Sequence, residues 1–245
     1  MEKMIDFFVL TYNRLKYLNQ CVRSVVDQTV DIRINVWNNG STDETTEWLI
    51  NHSELLNRGL LFNSPVNLGV ADARNVMIDL IDANWIFISD DDMWYDTNCM
   101  KYNWEMLQAY ENKFGKSKIG FVGLNMPWRR SKYDDEIFIK KVNVDKFEIH
   151  EVRTTPPNAW LINKKALFKM GGFKLPPNRL MGYTAFHLPN QLRQNGYKVI
   201  RLDKVNGKLY NGCEHTDNIG HEKGFRDHYE EYNEWRSKEK RLPTA

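Results

Sequence analysis

The stretch WIFISDDD at residues 85–92 decides how this chain folds. A short apolar run, Trp85–Ile88, predicts a buried strand, and three aspartates follow it almost at once. In a parallel α/β sheet, ligands bind in the crevice outside the carboxyl ends of the strands, so the three aspartates belong to a candidate site. The alternative is a solvated acidic turn that caps the following helix.

The three carboxylates repel one another, and burial makes that repulsion costly unless a cation or hydrogen-bond donors offset it. Alternate side chains of an extended segment face the same way, so Asp90 and Asp92 can serve one site. Carboxylate oxygens with open positions for phosphate suit Mg²⁺ or Mn²⁺. The stretch therefore predicts a divalent-cation site at the end of a strand.

The residues before this stretch alternate between strand and helix, as a parallel sheet requires. Apolar runs followed by turn residues predict strands at Ile5–Leu10, Ile32–Trp37 and Leu60–Phe62. A first helix places Leu15, Leu18, Val22, Val25 and Val26 at helical spacing, and a second runs from Val70 to Ile81 with Val76, Met77 and Leu80 inward. Ser41 and Glu44 have the spacing of a capping box, which predicts a further helix just after Gly40.

The second half reads as a looser α/β pattern. A helix is predicted at Cys99–Phe114 and another from Pro189 to Gln194. Strands are predicted at Ile119–Val122, Ile137–Val144, Ala159–Ile162 and Lys198–Leu202. From Gly224 onward, aromatic side chains share one helical face, which predicts a C-terminal helix.

Composition narrows the possible classes of protein. The chain has 245 residues with 34 basic and 32 acidic side chains, a balance that makes nucleic acid an unlikely partner. Three separated cysteines indicate neither a disulfide framework nor a zinc cage. We expect a cytoplasmic protein without a transmembrane segment, with a peripheral position at the inner face of a membrane as an alternative.

Five segments in order resemble glycosyltransferase family 2, whose fold is called GT-A. They are LTYNR (residues 10–14), SVVDQT (24–29), WNNGSTDET (37–45), NLGVADARN (67–75) and the acidic DXD-type motif DDD (90–92). The resemblance implies a Rossmann-like α/β/α sandwich with a mostly parallel central sheet. It divides this single domain into a donor-binding half, residues 1–95, and an acceptor-binding half, residues 96–245.

The resemblance also implies a nucleoside-diphosphate sugar as donor, with the diphosphate bridged to the DXD motif by Mn²⁺ or Mg²⁺. A metal ion can stabilise the departing diphosphate as a Lewis acid. Carried over residue by residue, Asp92 is a metal ligand and acts in catalysis, and Asp90 lies near the ribose or a bound water and shares the metal. The donor-binding set comprises Thr11, Tyr12, Asn13, Asn38, Asn39, Asn67, Arg74, Asp90 and Asp91.

Two members of this set have plainer interpretations. Arg74 can also be interpreted as a solvated helix arginine. The Asn38-Asn39-Gly40 sequence can also be interpreted as a tight turn only, because asparagine and glycine tolerate positive φ. The two asparagines replace acidic residues common in the family, so a UDP-sugar is expected but the base is open.

The acceptor side departs from the family pattern. The segment WLINKKALFKMGGF (160–173) resembles the one that precedes the acceptor site, but the usual Glu-Asp pair is replaced by Thr184-Ala185. Inverting transfer needs a base near the acceptor hydroxyl. Three explanations stay open: His187 is the base, although a packing or capping role suits it too; the enzyme retains anomeric configuration; or the chain is inactive.

A late histidine often reaches the metal in this fold, and His215 stands at that place, within YNGCEHTD (210–217). We therefore expect a metal-dependent glycosyltransferase that moves a single sugar to a hydroxyl of a glycan, a lipid-linked or another acceptor. The alternatives are an inactive nucleotide-sugar-binding protein and, more remotely, a nucleotidyltransferase.

Overall fold

The computed structural model describes residues 4–57, 59–115, 118–124, 138–155, 159–174 and 184–215. The first half contains β1 (Ile5–Thr11), α1 (Leu15–Val26), β2 (Ile32–Asn38), α2 (Thr45–Asn51), a 3₁₀ turn (Ser53–Leu56), β3 (Leu61–Asn63), α3 (Val70–Leu80), β4 (Trp85–Asp90) and β5 (Met93–Tyr95). The second half contains α4 (Cys99–Phe114), β6 (Ile119–Gly123), β7 (Phe138–Val144), β8 (Phe147–Val152), β9 (Ala159–Asn163), α5 (Lys164–Lys169), α6 (Thr184–Gln194), β10 (Lys198–Val205), β11 (Lys208–Leu209) and β12 (Cys213–His215).

Ten of these strands form one mixed sheet in the order β3-β2-β1-β4-β9-β6-β10-β8-β7, with β11 paired to β10. β3, β2, β1 and β4 are mutually parallel, as are β6 and β10, while β9 runs antiparallel between β4 and β6. Most strands therefore point the same way, as predicted. β5 and β12 form a separate antiparallel pair.

Helices cover both faces of the sheet. α1, α2 and α4 bury side chains such as Leu18, Leu49 and Met106 in one core cluster. α3, α5 and α6 bury Met77, Leu167 and Leu192 in a second cluster on the opposite face. The sandwich exists because each helix has one apolar stripe and each central strand has two apolar faces to cover.

The capping-box prediction was wrong. α2 begins at Thr45, and its N-cap residue Glu44 makes no side-chain capping bond. The Ser41 hydroxyl instead accepts a 2.9 Å bond from the backbone N–H of Asn13, and Asp43 accepts from the N–H of Thr45. The serine is used between loops rather than within the helix, so the helix starts later.

Two helix faces were also misjudged. Val76 and Leu80 of α3 are exposed, and the buried face contains Ala73, Arg74 and Met77. Met77 is buried as predicted, but the rest of the buried stripe lies towards Ala73 and Arg74 instead of Val76 and Leu80. Val26, the last residue of α1, is likewise exposed.

α6 starts at Thr184, with Pro189 inside it rather than at its beginning. Leu188 and Leu192, which flank the proline, are both in the second core cluster, and this packing outweighs the proline's unfavourable effect on a helix. β8 and the β5–β12 pair were not predicted. The proposed C-terminal helix lies outside the described residues.

Candidate active site

The carboxyl ends of four parallel strands meet at one edge of the sheet. The register pairs Thr11 of β1 with Asn38 of β2, Asn38 with Asn63 of β3, and Leu10 with Asp90 of β4. Polar residues thus stand at the ends of four neighbouring parallel strands at the same level. Such an edge is where α/β sheets bind their ligands.

Two of the three aspartates are buried at this edge. The Thr11 hydroxyl donates a 2.8 Å hydrogen bond to Oδ2 of Asp91. The guanidinium of Arg14 lies 3.1 Å from Oδ1 of Asp91 and 3.0 Å from Oδ2 of Asp92. The solvated-turn interpretation is therefore wrong for Asp91 and Asp92, whose side chains are 5% and 3% exposed.

The pKa values of the two buried carboxyls are shifted in opposite directions. Burial raises the pKa of Asp91 to about 7, against the opposing effects of Arg14 and Thr11. Burial by itself would raise the pKa of Asp92 too, but the hydrogen bond with His215 and the charge of Arg14 hold that pKa below its ordinary value. Asp92 is thus the carboxylate kept ionised, as a cation ligand must be.

His215 reaches the acidic residues through the small second sheet. β12 pairs antiparallel with β5, which places His215 opposite Met93, next to Asp92 in the chain. The imidazole Nδ1 lies 3.5 Å from Oδ1 of Asp92, and both side chains are buried. The structure therefore brings His215 to Asp92, and Asp90, at the end of β4, interacts electrostatically with both. We call Asp90, Asp91, Asp92 and His215 together the acidic corner.

Arg74 is not a solvated arginine. It is 3% exposed, it forms an ion pair with Oδ1 of Asp90, and its Cζ lies 5.3 Å from the centre of the Trp160 ring and 5.6 Å from that of Phe173. Burial beside two aromatic rings orients the guanidinium towards the strand end. Arg74 can therefore offer a fixed positive charge to a bound phosphate.

The predicted asparagines join the loops of this edge. Asn38 donates to Thr46 and Asn63, and it accepts from the N–H of Ser41. Asn39 donates to Asn67, and its oxygen accepts from the Trp37 ring and the N–H of Leu68. Both side chains are buried and hold the turn in place.

Two further donor-side predictions lie at the start of α1. Asn13 has a positive φ of 53° and its Oδ1 accepts a 2.7 Å bond from the N–H of Thr42. Tyr12 is 43% exposed beside the buried Thr11. The exposed Tyr12 ring at the strand end can stack on a ligand. The Thr11 hydroxyl, in contrast, is hydrogen-bonded to Asp91.

His187, the candidate base, is half-buried on α6, next to the core residue Leu188. Residues 175–183, which lead into this helix, lie outside the described part of the chain. The helix backbone includes Thr184 and Ala185, and its first turn contains no acidic residue. The sequence-based observation of a missing acidic pair therefore applies to a helix start.

Sequence reasoning gave no role to Arg14. Its position directly after a strand, at the same sheet edge as three aspartates, was a signal that could have found it, because opposite charges at one edge of a sheet attract. Sequence reasoning also missed a second cluster of potential metal ligands. Ligand atoms of Glu148, His150 and Asp203 lie within 4.8 Å of one another on β8 and β10.

Basic side chains pair with this second cluster, as Arg14 and Arg74 do with the acidic corner. Glu148 already forms ion pairs with Lys204 at 3.0 Å and Lys141 at 3.3 Å, and Asp203 lies 3.8 Å from Arg201. A cation there would compete with three basic side chains. The donor types at the acidic corner, carboxylates and an imidazole, fit Mn²⁺ or Mg²⁺.

Comparisons with known proteins agree with this fold. The model of glycosyl transferase family 2 matches residues 6–171. The abequosyltransferase RfbV of Salmonella typhimurium is 30% identical over 156 residues, 58% of this chain and 46% of that protein. The chain thus spans about half the length of this relative.

Two solved structures share the fold at low identity. The mannosyltransferase PcManGT of Pyrobaculum calidifontis, in complex with GDP-Man and Mn²⁺, has a TM-score of 0.67 and 16% identity, over 92% of this chain and 60% of that one. TarS of S. aureus, in complex with UDP-GlcNAc, has a TM-score of 0.63 and 14% identity, over 89% of this chain and 60% of that one.

The fold and the polar sheet edge define a GT-A glycosyltransferase architecture. The chain belongs to glycosyl transferase family 2. Within the described ranges, no helix is long and apolar enough to cross a membrane.

Proposed function

We propose that the chain is a glycosyltransferase that moves a single sugar from a nucleoside-diphosphate sugar to a hydroxyl of a glycan, a lipid-linked or another acceptor, and that it requires Mn²⁺ or Mg²⁺. The observation that carries this proposal is the convergence of Asp90, Asp92 and His215 at the carboxyl edge of the sheet. In this reading residues 1–95 bind the donor and the rest of the chain positions the acceptor.

Asp92, Asp90 and His215 would hold the cation, which supplies Lewis-acid stabilisation of the departing diphosphate. Arg74, buried and oriented by Trp160, adds a fixed positive charge on the α3 side of the corner. Fixed charges that need no rearrangement during the reaction stabilise a developing anion most effectively.

Thr11, Tyr12 and Asn13 would line the nucleoside pocket, with the exposed Tyr12 ring offering a stacking face. Asn38, Asn39 and Asn67 would support it by fixing the loops after β2 and β3. We propose a UDP-sugar as donor. The UDP-GlcNAc bound to TarS supports this choice, and the GDP-Man bound to PcManGT makes GDP-sugars the first competitors to test.

On the acceptor side we propose His187 as the general base of an inverting transfer, since an imidazole titrates near neutral pH. If His187→Ala keeps full transfer activity, the base role is wrong. A product with retained anomeric configuration would point to the leaving diphosphate as proton acceptor instead.

The test of the proposed function combines binding with turnover. Thermal shifts are measured with UDP, GDP and their sugars, with and without Mn²⁺, because a ligand that binds only the native state raises its stability. Donor hydrolysis and transfer to an acceptor panel follow. Asp92→Asn should abolish the Mn²⁺-dependent shift and turnover, while Asp82→Asn, an exposed carboxylate ahead of β4, should leave both unchanged. Full activity of Asp92→Asn at saturating Mn²⁺ would contradict the proposal.

A nucleotide-sugar-binding protein without catalysis is the second candidate. It is favoured by the first turn of α6, where no acidic residue stands. Calorimetry with the same nucleotides separates the two candidates: tight donor binding with neither hydrolysis nor transfer would support the binding protein.

A further inference from the structure

Arg14 occupies the acidic corner in the way a cation would. It precedes α1, and its two terminal nitrogens contact two different carboxylates, Asp91 at 3.1 Å and Asp92 at 3.0 Å. Asp91 and Asp92 are almost fully buried, but the Arg14 side chain is 35% exposed. The guanidinium therefore covers the buried carboxylates from the solvent side.

The charge balance explains why such a contact is needed. Three adjacent carboxylates would repel one another in a poorly hydrated corner, and removing one partner of a buried ion pair leaves an uncompensated charge. Arg74 compensates Asp90 from the α3 side, and Arg14 compensates the other two. Arg14 thus supplies to Asp91 and Asp92 the kind of positive charge that a divalent cation would supply.

We propose that Arg14 is a resident counter-ion that competes with the divalent cation for Asp92, and that its release towards the donor diphosphate couples metal binding to nucleotide binding. This inference rests on the proposed function, because it takes the acidic corner as the metal site. A cation that binds alone must displace Arg14 from two carboxylates, and Arg14 then gains no new anionic partner. When a diphosphate is present, the displaced guanidinium gains phosphate oxygens as new partners.

The surroundings of Arg14 permit this exchange. Its Cζ lies 4.5 Å from the centre of the Tyr17 ring, on the first turn of α1. A cation–π contact to a neighbouring ring can persist while the guanidinium changes its anionic partner. The partial exposure of the side chain leaves the solvent side open to an incoming phosphate.

The coupling is measured by titrating Mn²⁺ into the chelator-treated full chain, with free Mn²⁺ followed by electron paramagnetic resonance, alone and with saturating UDP or GDP. For the wild type we expect weak binding of Mn²⁺ alone and at least about tenfold tighter binding with nucleotide. In Arg14→Met, Mn²⁺ alone should bind about tenfold more tightly than in the wild type, and the gain from nucleotide should shrink. Lys16→Met is the matched control, because Lys16 also contacts the Tyr17 ring and its removal deletes the same charge.

An equal or weaker affinity of folded Arg14→Met for Mn²⁺ alone overturns the counter-ion role, while the proposed function stands if wild-type binding still depends on Asp92. If no variant binds Mn²⁺ even with nucleotide, the proposed metal site fails and the inference fails with it. Should Arg14→Met not fold, Arg14→Lys replaces it. A single ammonium cannot hold both carboxylates with separate nitrogens, so the affinity for Mn²⁺ alone should rise by a smaller factor, and no rise in that variant overturns the inference.

Discussion

The Nδ1 atom of His215 lies 3.5 Å from Oδ1 of Asp92, although the two residues are far apart in the sequence. The contact depends on the antiparallel pairing of β12 with β5, which follows the acidic motif directly. A two-strand sheet outside the main sheet thus positions the imidazole. The acidic corner is built from both halves of the chain, so its integrity reports on the fold of both.

The imidazole of His215 is expected to contribute to metal affinity. His215→Ala should weaken Mn²⁺ binding, measured by titration in the presence of saturating nucleotide, by at least about tenfold. His52→Ala is the control, since His52 stacks on Trp48 at the C-terminal end of α2. An unchanged Mn²⁺ affinity in folded His215→Ala would remove His215 from the ligand set.

The ion pair between the buried Arg74 and the partly exposed Asp90 should be strongly coupled. Arg74→Met leaves Asp90 without its partner and also removes the contact with Trp160, so the free energy of unfolding in urea should fall by about 3 kcal/mol. A double-mutant cycle with Asp90→Asn should give a coupling energy of about 1 to 3 kcal/mol. Arg23→Met, at an exposed position of α1, should change stability by less than about 0.5 kcal/mol. If the losses of stability in the two single variants simply add in the double variant, the ion pair makes no net contribution to stability.

Stability should depend on pH through Asp91. Burial raises its pKa from 3.8 to about 7, so between these pH values the folded chain holds a proton that the unfolded chain has released. The free energy of unfolding must therefore fall as pH rises through that window. Asp91→Asn removes this dependence. In chelator-treated protein, the stability of the variant relative to wild type should rise by about 2 kcal/mol from pH 5 to pH 8, measured by urea unfolding.

A flat difference between the two proteins across that range would contradict the raised pKa of the buried Asp91. Asp82→Asn controls for the loss of one carboxyl group, because its side chain lies exposed before β4.

Two glycines with similar backbone angles should respond differently to alanine. Gly40 has φ +80°, and an added Cβ would lie 2.7 Å from the carbonyl carbon of Val66. Gly69 has φ +78° with open space around it. We expect Gly69→Ala to cost about 1 kcal/mol through its backbone angle, and Gly40→Ala to cost at least about 2 kcal/mol more, measured by urea unfolding. Equal losses would show that the loop carrying Asn67 yields to the new methyl group.

Much of the fold was predictable because it depends on local patterns. The predicted bounds of the helix Cys99–Phe114 coincide with those of α4, and the four strands that lead to the acidic motif were each located to within about two residues. Apolar periodicity and turn residues act over a few positions, so a single sequence carries them. The buried face of α3 was predicted incorrectly because arginine is usually a surface residue, whereas Arg74 is buried. The start of α6 was predicted too late because the sequence does not show that Leu188 packs in the core.

The sequence by itself determined the order of strands and helices and the arrival of three aspartates at the carboxyl end of a buried strand. Only the tertiary structure decided which groups meet those aspartates: Arg14 on Asp91 and Asp92, Arg74 on Asp90, and His215 on Asp92. The physical reason is distance along the chain. A side chain's charge partner is set by the register of strands and the packing of helices that join remote segments, and neither is encoded in the few residues around it.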